Sequence, residues 1–99
     1  MTRVLAIYTP PADPAAFDAY YFGTHIPLAR KIPGLRGMRV SKKPPLGIAG
    51  PVPYLIAELD FESMAAFQEA FATPEGQATA GDLPNFAQAG VTVVAYATE

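Results

Sequence analysis

Ninety-nine residues with a formal charge of −2 and a pI near 5.2 make one domain, residues 1–99. With 7 basic against 9 acidic residues and no basic stripe beyond Lys42–Lys43, the composition points away from nucleic acid. The absence of cysteine excludes disulfides, thiolate nucleophiles and thiolate metal sites.

Arg3–Tyr8 is a short apolar run ended by Thr9-Pro10-Pro11, and it reads as a first strand. Apolar residues on both of its faces suggest a central strand, covered on both sides. Asp13 as N-cap and Pro14 at the first helical position start a helix that runs to about Ile32. At about 100° per residue, Phe17, Tyr21, Thr24, Leu28 and Ile32 form its buried stripe, with His25 at one edge and Tyr20 at the other. Pro27 cannot donate to the Gly23 carbonyl, so a kink or break is expected around Thr24–Ile26, with Thr24 capping the second half. Pro33-Gly34 ends the helix.

Leu35–Lys43 reads as a second strand, with Met38 and Val40 on one face and Arg39 and Ser41 on the other. The proline-rich stretch 44–53 is a loop. Tyr54–Phe61 is a third strand. Leu55, Ala57, Leu59 and Phe61 form a face suited to helices, while Tyr54, Ile56, Glu58 and Asp60 form a mixed face, an interior or an interface. Ser63 caps a helix from Met64 to about Ala72, and Thr73-Pro74-Glu75 starts another to about Ala80. Residues 81–86 are irregular, and Val91–Thr98 is a fourth strand. The order is βαββαβ: an α+β, ferredoxin-like fold with one antiparallel four-stranded sheet and helices on one face.

The chain is 51% hydrophobic, with mean hydropathy +0.17. One small core does not readily hide that much apolar material, so the bare sheet face is expected to meet a second copy. No signal peptide is evident, and no apolar run approaches the ~20 residues of a membrane span. A cytoplasmic protein is expected.

Tyr20-Tyr21, His25-Ile26-Pro27-Leu28, Pro33-Gly34-Leu35, Phe61 with Ser63, Thr73-Pro74-Glu75-Gly76, and Asp82 with Asn85-Phe86 together resemble the EthD family, named for ethyl tert-butyl ether degradation, of the dimeric α/β-barrel superfamily. The resemblance covers nearly the whole chain. It implies a homodimer whose two sheets close into an α/β barrel, with a pocket between each sheet and its helices or loops. It does not imply one reaction. Relatives carry reductase labels or resemble dehydratases and decarboxylases of aromatic polyketides, and the superfamily includes isomerases, cofactor-free monooxygenases and haem enzymes.

His25, the lone histidine, is the leading acid–base candidate, since imidazole titrates near ~6.5. Its alternative role is bonding backbone freed by Pro27. Asp82 orients His25, or polarises a substrate group, or builds a turn with Asn85. Tyr20 offers a hydroxyl at a pocket margin, and Tyr21 is the better core residue. Tyr54, with Glu58, lines an interior or meets Arg39 at an interface. The reading this favours is an enzyme for a small, largely apolar, aromatic or polyketide-like molecule. His25, Asp82 and Tyr20 are its catalytic residues, and Tyr21, Tyr54, Asn85, Phe86 and Leu28 its substrate contacts. No cofactor and no metal are expected, because a single histidine offers no ligand spacing. The second reading is a non-catalytic binding protein. A haem-binding relative is third, since one histidine suffices as an axial ligand.

Overall fold

The computed structural model describes all 99 residues, Met1–Glu99. Strands β1 (Thr2–Tyr8), β2 (Gly37–Val40), β3 (Leu55–Phe61) and β4 (Val91–Ala97) form one sheet. Its order is β2-β3-β1-β4, and every pairing is antiparallel. This is the ferredoxin-like βαββαβ arrangement. β1 lies in the centre, as its apolar faces suggest.

The two faces of the sheet differ because the strand period is two. Thr2, Val4, Ala6 and Tyr8 of β1 and Leu55, Ala57, Leu59 and Phe61 of β3 are buried under the helices. The opposite face carries Leu5, Ile7, Ile56 and Val94, with an ion-pair cluster at one end. No helix covers that face, so β1 is sheltered on one side only within the single chain. β2 is shorter than its apolar pattern suggests. Ser41 still donates its N–H to Ile56, but Pro44 and Pro45 follow and have no N–H to offer the ladder.

Helix starts follow the sequence closely. Asp13 caps α1 (Pro14–Tyr20), Ser63 caps α3 (Met64–Ala72) and Thr73 caps α4 (Pro74–Gly81). Each cap side chain accepts from an N–H three residues on, at 3.1 Å. A short 3₁₀ turn, Leu83–Asn85, leads out of α4 towards β4.

The long first helix departs from expectation at its middle. The helix does not break there, and no Thr24 cap forms. Instead, Tyr21–His25 is a π-helical turn between α1 and α2 (Ile26–Ala29). The Ile26 N–H donates to the Tyr21 carbonyl five residues back. The wider turn absorbs the donor lost at Pro27 without breaking the helix. It also changes which residues face inward. An α-helix would bring Thr24 under Tyr21, but the π turn keeps the inward face at every fourth residue. Phe17, Tyr21, His25 and Ala29 are therefore buried, Thr24 is exposed and Leu28 half-buried.

Candidate functional site

The inward turn of His25 sets the site. The residue is 5% exposed, and its ring packs against two aromatic rings, Phe86 at 4.6 Å and Tyr21 at 5.6 Å between centroids. Nδ1 lies 2.9 Å from Asp82 Oδ2. His25 is thus held by a carboxylate, and the alternative role of serving backbone near Pro27 does not occur.

Asp82 follows directly on α4, and its own N–H donates back to Ala78 and Thr79. The 3₁₀ turn after it folds Asn85 and Phe86 around the carboxylate. Oδ1 accepts from the Tyr20 hydroxyl at 2.6 Å and from Asn85 Nδ2 at 2.9 Å. Both oxygens of this buried group are therefore occupied. Burial works against its ionised form, but the bonds from Tyr20, Asn85 and His25 together outweigh burial and hold the pKa below the usual carboxylate value. A carboxylate at Oδ2 fixes the proton of a neutral imidazole on Nδ1. Burial lowers the His25 pKa, and the attraction of Asp82 offsets this only in part. The ring is accordingly neutral at pH 7, and Nε2 carries a lone pair with no hydrogen bond to any group of the chain.

His25 lines an apolar cavity of about 250 Å³ between sheet and helices. Val4, Ala6, Ala57 and Leu59 form its floor, and Phe67, Phe71 and Leu83 its far walls. Tyr8, Tyr21 and Thr79 add hydroxyl-bearing side chains, and the Thr79 hydroxyl donates to the Glu75 carbonyl. Burial raises the pKa of Tyr8 and of Tyr21, so both remain protonated phenols. A larger depression of about 560 Å³ lies on the other side of Phe86, lined by Asp13, Phe17, Tyr20 and Asn85. His25 does not reach it, so the smaller cavity is the better candidate for chemistry.

The structure gathers Tyr20, Tyr21, His25, Asp82, Asn85 and Phe86 into one cluster. It places two expected contacts elsewhere. Tyr54 donates its hydroxyl to Asp18 at 2.9 Å and packs edge-on against Phe17, because a helical carboxylate lies within its reach. It does not line the cavity, and within the chain it is Glu58 that pairs with Arg39. Leu28, displaced from the inward face by the π turn, borders a separate depression with Lys31 and Glu75. Tyr20 holds Asp82 and does not line the cavity, so any role in chemistry runs through that carboxylate.

Tyr8, Phe67 and Phe71 line the cavity without being site candidates on sequence grounds. For Tyr8 there was a signal, a lone hydroxyl-bearing aromatic on the helix-facing side of a central strand. The phenylalanines read as ordinary core.

No group of three His, Cys, Asp or Glu side chains is placed to hold a metal ion. Haem does not suit the cavity either. At about 250 Å³ it is smaller than the roughly 300–1,000 Å³ of most cofactor sites. No helix is long and apolar enough to cross a membrane.

The EthD domain model matches residues 9–90. A protein of Rhodococcus erythropolis described as an uncharacterized 11.0 kDa protein in the thcB-thcC intergenic region is 46% identical over 94 residues, 95% of this chain and 91% of that protein. The crystal structure of an EthD family protein from Bacillus halodurans superposes with a TM-score of 0.90 at 36% identity, covering 100% of this chain and 99% of that one. A dimeric ferredoxin-like protein of unknown function from Thermobifida fusca superposes at 0.72 with 16% identity, covering 98% and 90%; that likeness is one of fold alone.

Proposed function

This chain belongs to the EthD family, and we propose that it works as a homodimer that binds a small, largely apolar molecule and transforms it by cofactor-independent proton transfer. The observation that carries this reading is the free Nε2 of His25 on the wall of an apolar cavity, with Asp82 behind the ring. A neutral imidazole accepts a proton from the ligand at Nε2. The imidazolium that forms is stabilised by Asp82, already ionised and 2.9 Å away. Tyr20 and Asn85 keep that carboxylate in place. Tyr21 and Phe86 pack against the ring, and Tyr21 also lines the pocket. Isomerisation, dehydration and oxidation of an enolisable substrate all begin with such a proton transfer.

Two features support the dimer. The uncovered sheet face is apolar over much of its area, and a protein of the same fold is dimeric. Two such faces meeting would close an α/β barrel, with one cavity under the helices of each subunit.

The test is a screen of small phenols, ketones and lactones for binding, followed by product analysis of each binder. His25→Ala should lower turnover by about 10²–10⁴-fold. Turnover within a few-fold of wild type in a folded variant removes His25 from the mechanism. Ligands that bind tightly and are recovered unchanged would instead identify a sequestering protein. The nearly continuous hydrocarbon lining of the cavity favours that second reading.

A further inference from the structure

Proton transfer at His25 makes no use of the larger depression on the far side of Phe86. Phe17, Tyr20 and Phe86 back it with aromatic rings, and Tyr20 stacks on Phe86 at 5.5 Å. Its polar lining is one-sided in chemistry. Asp82 is ionised and accepts from Asn85 Nδ2 at 2.9 Å, so Asn85 turns its NH2 towards that carboxylate and its amide oxygen away. Gln88 likewise gives its NH2 to the Pro84 carbonyl, which can only accept. The Tyr20 hydroxyl gives its proton to Asp82. One Asp13 oxygen takes the Ala16 N–H, and the other has no partner in the chain. Side-chain donors on this lining are thus engaged by the fold, while acceptor oxygens of Asp13, Asn85 and Gln88 stay open. All three of those residues are exposed.

Charge points the same way. The 7 Lys and Arg residues lie at position 3 and between positions 30 and 43. The depression is built from residues 11–20 and 85–89, so none of them lines it. No lysine or arginine pairs with Asp13 or Asp82. Asp82 lies behind Tyr20 and Asn85, and its partners are a phenol, an amide and a neutral imidazole, so its negative charge is balanced by no cation.

We propose that this depression is a second binding site, separate from the cavity at His25, and that it takes an organic ammonium, a protonated amine on an aromatic or aliphatic body. The body lies against the aromatic backing. The ammonium is a donor with no acceptor of its own, and it meets the open Asp13 oxygen and the amide oxygens of Asn85 and Gln88. A carboxylate in the same place would face only lone pairs and like charge, so anionic ligands are excluded. The site binds and makes or breaks no bond.

The experiment titrates 2-phenylethylamine, 2-phenylethanol and phenylacetate into wild type at neutral pH and follows the backbone amide shifts by NMR. The amine should move the amides of residues 11–20 and 85–89, bind at least about fivefold more tightly than the alcohol, and leave phenylacetate the weakest of the three. Added salt should weaken the amine and not the alcohol. Asp13→Asn keeps a residue able to cap α1 while removing the charge. It should weaken the amine by about twofold to fivefold and leave the alcohol unchanged. An amine no tighter than the alcohol, shifts confined to the walls of the His25 cavity, or no shifts at all overturns the site. An unchanged amine affinity in Asp13→Asn, or an equal loss for amine and alcohol, overturns it as well. None of these outcomes bears on turnover at His25, so the two sites are judged separately.

Discussion

His25 owes its chemistry to two opposed influences at one atom each. Burial disfavours the charged ring, while Asp82 at Nδ1 favours it, and burial wins. This has a consequence for stability. Unfolding returns the imidazole to its ordinary value near ~6.5. Below that pH the unfolded chain takes up a proton that the folded chain does not, so stability is whole above about 6.5 and declines as pH falls towards the folded value. Asp82 adds a second loss at lower pH. Its folded pKa is depressed, so its contribution is present above about 3.9 and disappears as pH falls through the folded value. Melting temperature against pH should therefore show two descending steps on acidification, and His25→Leu should remove the upper one. At this scale the sequence was informative about identity more than about placement. Histidine as the lone imidazole, and Asp82 and Asn85 in an irregular segment, were visible as candidates. That they bond one another across 57 and 3 positions, and that Tyr54 turns instead to Asp18, depends on side-chain reach in three dimensions.

The secondary elements show where local rules suffice and where they do not. Caps depend on a side chain three residues from its donor, so Asp13, Ser63 and Thr73 could be placed without a structure. The inward face of the first helix could not, because the projection at about 100° per residue assumes an unbroken α-helix. Pro27 signalled a disturbance, but not whether it would be a kink or a widened turn. A second contact of elements escapes periodicity altogether. Gly76 of α4 sits directly against the end of α3, where an added Cβ would fall on the Ala70 carbonyl oxygen and the Phe71 Cα. Both are backbone atoms and cannot yield as a side-chain tip does. Since α4 leads into Asp82, this close approach helps to set the carboxylate under His25. Gly76→Ala should destabilise by about 1–3 kcal/mol, lowering Tm by about 4–8 °C per kcal/mol in thermal melts. Gly23→Ala, where an added Cβ meets nothing, is the matched control.

At the scale of the molecule, the sheet has one face under helices and one without cover. The fold class followed from element order alone, since βαββαβ leaves few topologies open. What the open face does is a matter of its composition. Leu5, Ile7 and Val94 lie on it across adjacent strands, and Val94 is 43% exposed in the single chain. Val94→Arg should convert the proposed dimer to a monomer in light scattering, with the far-ultraviolet spectrum unchanged. The same face holds Arg3 and Arg39 against Glu58 and Asp60, at 2.8 to 3.5 Å. Two guanidiniums and two carboxylates cancel, so the cluster is electroneutral. Facing copies would then bring together multipoles instead of like monopoles, with no counterions to shed. Association should be almost indifferent to ionic strength, in contrast to a partnership steered by net charge.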